Sequence, residues 1–133
     1  MRAYNVAVAS LAIGAPSKWT DNLLSQHDVA HVVSTRRGVA RRIPHAALLH
    51  LALTRELHVR CGMSVREALE LARQLLAGDE GTAVTRGSVR ITCDRGALER
   101  ALDRGMREVL ESAPTPRRGR PPRRGRADGT RQD

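Results

Sequence analysis

The sequence predicts a mainly α-helical body with small β-hairpins, followed by a disordered basic tail. Three observations predict it. Apolar residues recur at helical spacing, between recognisable start and stop signals, over residues 64–77 and 94–112. Short β-branched runs flank two glycine-containing turns, at Gly38 and Gly87. The last 17 residues hold seven arginines and two aspartates but no large apolar side chain. Such a segment cannot bury enough surface to offset the entropy of ordering.

The clearest helix covers residues 64–77. Ser64 and Glu67 form a Ser-x-x-Glu capping box, and Gly78 follows the last turn. Val65, Ala68, Leu69, Ala72, Leu75 and Leu76 share one expected buried face. Residues 44–60 predict a second helix with Pro44 in its first turn. Leu49, Leu53 and Leu57 form its stripe, extended by Ala46 and Cys61. Cys61-Gly62-Met63 breaks the chain, so the two helices are expected to pack antiparallel. A third helix over 94–112 has Asp94 as its N-cap. Its apolar face is Leu98, Ala101, Leu102, Gly105, Met106 and Val109, where Gly105 permits close approach of a neighbour. Residues 83–92 read as a hairpin turning at Arg86-Gly87. At the other end, residues 6–13 are apolar throughout and read as a buried helix or a strand, ended by Gly14-Ala15-Pro16. Ser17 opens a short helix anchored by Trp19, Leu23 and Leu24. Residues 29–33 and 39–43 read as a further hairpin tipped with Arg36-Arg37-Gly38.

Charge bears on function. There are 23 Lys+Arg against 14 Asp+Glu, a formal net charge of +9, and Lys18 is the single lysine. The final 17 residues carry +5 of that excess (seven arginines less two aspartates). A polyanionic partner follows. No apolar run reaches membrane-spanning length and no signal peptide is visible, so a cytoplasmic, nucleoid-associated protein is expected. Two cysteines make no disulfide framework, and Cys61 and Cys93 are expected to be small buried apolar residues. His45, His50 and His58 lack metal-site spacing and are expected to face solvent or to be hydrogen-bonded. There is no Gly-rich phosphate loop, no catalytic His/Cys pairing and no metal cluster, so neither an enzyme nor a cofactor is expected. Asp79 and Glu80 read as turn residues.

The order of elements is helix, glycine turn, short helix, basic hairpin, helix pair. That is the order of a winged helix-turn-helix module. A short second helix offers side chains to base edges in a major groove, and the wing offers arginines to phosphates. Ser17, Lys18, Thr20 and Asn22, with Asp21 beside them, are the groove-facing candidates. Arg36, Arg37, Arg41 and Arg42 are the wing candidates, with no acidic residue among them.

The stretch 9–76 resembles the mercury-resistance-regulator (MerR) family of winged-helix DNA-binding proteins. The likeness lies in Arg41-Arg42-Ile43-Pro44 leading into Leu48-Leu49-x-Leu51-x-Leu53, and in Leu57 through Ala68 with its Gly62-Met63-Ser64 step. The resemblance implies a wing ending in an arginine-rich strand, then two successive helices. Two departures stand out. Lys18-Trp19-Thr20-Asp21-Asn22 replaces the family's usual Thr-Leu-Arg-Tyr-Tyr, and the family's long dimerising C-terminal helix is absent.

In the tail, Arg117-Arg118-Gly119-Arg120-Pro121-Pro122-Arg123 looks like an AT-hook. Gly119 lets the backbone approach the floor of a narrow minor groove. Arg118 and Arg120 meet its negative potential, deepest in A·T tracts. Pro121 turns the chain outward, and Arg123, Arg124 and Arg126 add phosphate contacts. Three parts are therefore expected: a winged helix-turn-helix-like body over 1–92, a helix over 93–113 that packs on it or makes a homodimer contact, and the tail over 114–133. Duplex DNA is the expected partner, and a bacterial transcription regulator or architectural factor the expected role. Two readings compete. In one, the body is an antitoxin-like or adaptor interaction module and the tail alone touches nucleic acid. In the other, the tail binds RNA, although the aromatic residues that usually interleave such tails are missing.

Overall fold

The computed structural model describes residues 3–32 and 41–112. In chain order the elements are β1 (Ala3–Tyr4), α1 (Val6–Ile13), α2 (Ser17–Gln26), β2 (Ile43–Pro44), α3 (His45–Cys61), α4 (Val65–Ala77), β3 (Ala83–Arg86), β4 (Val89–Thr92) and α5 (Arg95–Ser112). The described residues thus form a mainly helical body with two small antiparallel sheets.

Residues 6–13 are helical, and the two ends of the segment decide it. Asn5 caps α1 by accepting a hydrogen bond from the Val8 N–H at 2.8 Å. Gly14 closes it in the left-handed region, at φ 71°. Pro16 precedes α2 in extended conformation. Ser64 caps α4 as expected, its Oγ accepting from the Glu67 N–H at 3.2 Å, while the Glu67 carboxylate accepts from the Ser64 hydroxyl at 3.3 Å in place of the backbone bond of a full capping box. Asp94 caps α5 by accepting from the Ala97 N–H at 2.9 Å.

The core has two connected parts. One joins α1, α2, α3 and α5 around Ala9, Leu24, Leu48, Leu51 and Leu102. The other joins α3, α4 and the start of α5 around Leu53, Leu57, Leu71, Ala72 and Leu98. The α3–α4 pair is antiparallel, as His50 touches Leu69 and His58 touches Met63 across it. α5 packs against α1 and α3 and contributes to both core parts. Gly105 lies directly on the α1 backbone. A Cβ there would run into the Ala12 carbonyl oxygen, with the Ala12 carbonyl carbon 3.0 Å away.

The hairpin over 83–92 is present, with Arg86 paired to Val89 across a Gly87-Ser88 turn. The other hairpin is not as expected. Ile43–Pro44 pairs antiparallel with Ala3–Tyr4, a partner too short to leave a sequence signature. Residues 29–32 form a turn rather than a strand. The Val32 N–H donates to the Val29 carbonyl at 3.1 Å, and His31 has φ 72°. Residues 33–40, with Arg36 and Arg37, lie outside the described residues, as does the tail.

Candidate nucleic-acid interface

α2 is held from beneath and polar above. Leu23 and Leu24 are buried, and Trp19 packs half-buried beside them. Trp19 is clamped to α3 by two groups one turn apart. Its ring stacks on His58 at 6.1 Å between centroids, and the Arg55 guanidinium sits 4.9 Å from the ring centroid. His58 is itself fixed, because its Nδ1–H donates to the Met63 carbonyl at 2.7 Å. These contacts set the rotation of α2 about its axis. They leave Ser17, Lys18, Asp21, Asn22, Ser25 and Gln26 exposed on the opposite side.

Thr20 corrects the sequence reading. It is 0 % exposed, and its Oγ1 accepts a hydrogen bond from Ser10 Oγ at 2.8 Å. The pair forms a buried polar bridge between α1 and α2. Thr20 therefore fixes the angle between the two helices and offers nothing to a partner. The signal was in the spacing, since Thr20 stands three and four positions before Leu23 and Leu24, on their stripe.

Arg41 joins the basic segment to this surface. Its Nη1 donates to Asp21 Oδ1 at 3.0 Å and its Nη2 to Ser25 Oγ at 3.3 Å. Ser25 Oγ in turn donates to the Asp21 carbonyl at 2.9 Å. Asp21 and Ser25 are one turn apart, so Arg41 lies along the polar face of α2. The carboxylate that would repel a phosphate is thereby paired with a cation. Arg42 follows, exposed. Ser17, Lys18 and Asn22 thus share a helix face with the anchor point of Arg41. Arg36 and Arg37 precede that point in the chain, outside the described residues, as do Arg117, Arg118, Gly119, Arg120, Pro121, Arg123, Arg124 and Arg126.

The histidines and cysteines divide. His45 Nε2 meets Glu99 Oε1 at 3.2 Å, and His50 Nε2–H donates to the Leu69 carbonyl at 3.0 Å. Among the described residues no group of three His, Cys, Asp or Glu could hold a metal ion. Cys93 is half-buried, but Cys61 is exposed at the end of α3, against the expectation for both. None of the described helices is long and apolar enough to cross a membrane. Comparison with protein-family models, curated proteins and solved structures returned no match.

Proposed function

We propose that the chain binds duplex DNA through a winged helix-turn-helix-like body and a minor-groove tail, as a transcription regulator or accessory architectural factor acting at the nucleoid. The observation that carries this reading is the seat of Arg41 on the polar face of α2. It brings the end of an arginine-rich segment onto the helix whose exposed side chains are suited to base edges. Asn22 suits adenine N6/N7, and Lys18 suits guanine O6/N7 or a phosphate. Arg42, with Arg36 and Arg37, supplies charge to the flanking backbone. The buried Ser10–Thr20 bridge and the Trp19 clamp keep α2 at a fixed attitude, as a reading helix requires. The tail Arg118-Gly119-Arg120-Pro121 adds a second, tethered contact in A·T-rich minor groove, so the two weak sites act at high mutual concentration.

Fluorescence anisotropy with a duplex selected by the full chain from random sequence tests this. Lys18→Ala and Asn22→Ala are expected to weaken binding to the selected duplex by about 1–3 kcal/mol each. Asn22→Ala is expected to leave binding to an unrelated duplex nearly unchanged. Equal binding by wild type and both variants would leave only the tail in contact with nucleic acid and would refute the role of α2.

A further inference from the structure

The DNA-binding reading leaves one face of the β3–β4 hairpin unused. The register pairs Val84 with Ile91 and Arg86 with Val89, so these four side chains share that face. Val84 and Ile91 pack on the core part that contains Leu71. Arg86 and Val89, nearer the tip, are exposed. Across from them run Met63 and the first two turns of α4, where Arg66, Glu67, Glu70 and Leu71 recur at helical spacing. Between hairpin and helix lies a groove of about 740 Å³. That is within the range of small-molecule sites, roughly 300–1,000 Å³. Its apolar lining runs from buried Leu71 through half-buried Met63 and Ile91 to exposed Val89.

Two acids and two arginines also line the groove, and they are not equally committed. The Glu70 carboxylate accepts from Arg73 Nε at 3.2 Å and from Gln74 Nε2 at 2.8 Å. The bond from Arg73, then that from Gln74, holds its carboxyl well below the ordinary range, to about 2, with Arg86 a minor influence. The Glu67 carboxylate accepts from the Ser64 hydroxyl at 3.3 Å. Arg66 and Arg86, by contrast, have no hydrogen bond or ion pair among the described residues. Two uncommitted guanidiniums therefore stand beside an apolar surface. We propose that this groove binds an amphipathic monocarboxylate of the medium-chain fatty-acid class. Its chain lies along Met63, Leu71, Val89 and Ile91. Arg66 and Arg86 hold its carboxylate through charge-assisted hydrogen bonds. Burial of the chain supplies affinity, and the guanidiniums select the head group. The unbranched Met63 side chain adapts the wall to the chain it meets.

Isothermal titration calorimetry of the full chain with decanoate, kept below its micelle concentration, tests this. The expected result is one saturable site per chain. Octanoate is expected to bind about fivefold more weakly, because two fewer methylenes are covered in an open groove. Decyltrimethylammonium, with a similar chain and a positive head, is expected not to compete. Arg86→Gln and Val89→Ser are each expected to weaken decanoate binding by about fivefold or more. Both positions are exposed and belong to neither core part, so the variants keep the fold. Arg90→Gln removes the same charge from the opposite face of the hairpin and is expected to leave the affinity unchanged. The proposal is overturned if decanoate finds no saturable site or if the cation competes. It is equally overturned if Val89→Ser binds as wild type does, or if Arg86→Gln weakens binding no more than Arg90→Gln.

Discussion

Thr20 shows how one polar side chain in a short helix can serve structure rather than recognition. Its hydroxyl is buried with that of Ser10, and the hydrogen bond between them is the reason both are tolerated in the core. Thr20→Val keeps the volume but leaves the Ser10 hydroxyl without its acceptor. It is expected to destabilise the protein by about 1–3 kcal/mol in chemical denaturation. Asn22→Ala, on the exposed face, is expected to stay within about 0.5 kcal/mol of wild type. His50 gives a second prediction. It is buried between α3 and α4, and burial holds its pKa below the ordinary value of 6.5, partly opposed by its bond to the Leu69 carbonyl. The folded state thus binds fewer protons than the unfolded chain just below that value. The contribution is complete above the ordinary value and is lost as the pH falls below it and through the lowered folded-state pKa. Tm measured between about pH 7.5 and pH 5 should therefore fall less in His50→Gln, whose amide can still donate to Leu69. Residue type and spacing disclosed the exposure of Lys18, Asp21 and Asn22 and the burial of Leu23 and Leu24. They concealed Thr20, because a hydroxyl reads as surface unless its stripe is weighed above its polarity.

At the scale of elements, the helix pair α3–α4 and the cap of α5 were legible because the glycine breaks, the Ser64 and Asp94 caps and the α4 stripe agree there. The α3 stripe was only partly so: Leu53 and Leu57 are buried as expected, Ala46 and Cys61 are exposed, and Leu48 and Leu51 are the fully buried leucines. Three features were less so. α1 has no apolar period, since all but one of its eight residues are apolar, and only Asn5 and Gly14 settle its form. The strand Ala3–Tyr4 is two residues long, so nothing announced that Ile43 would pair with it rather than with residues 29–33. Leu71 is buried although it was not on the expected face, because α4 meets the hairpin as well as α3. The packing of α5 on α1 yields a paired prediction. Gly105→Ala would drive a methyl group into the Ala12 carbonyl, a backbone group that cannot swing aside, and is expected to cost about 2 kcal/mol or more despite the better helix propensity of alanine. Gly96→Ala, in the same helix, meets the movable end of the Arg100 side chain and, at ordinary contact distance, Asp94 Oδ1 at 3.5 Å. It is expected to stabilise by up to about 1 kcal/mol. Thermal or urea unfolding of the two variants beside wild type checks both signs, and a stabilising Gly105→Ala would mean that the helices do not touch there.

For the whole molecule, the net charge of +9 resolves into two separate devices. One is a folded surface in which Arg41 ties a basic segment to the polar face of α2 while neutralising Asp21. The other is an Arg-Gly-Arg-Pro tail whose composition suits a narrow groove. The ion pair was beyond reach of the sequence, since Asp21 and Arg41 stand 20 positions apart and only the fold brings them together. DNA binding by both devices is tested most directly by the salt dependence of duplex binding by the full chain. It is compared with Lys18→Ala/Arg42→Ala and with Arg118→Ala/Arg120→Ala. Each lost phosphate contact lowers the steepness of log K against log salt by about 0.9. Both double variants are expected to show a shallower slope and weaker binding. A body variant indistinguishable from wild type, beside a tail variant that no longer binds, would contradict this and leave the folded domain without a role at DNA.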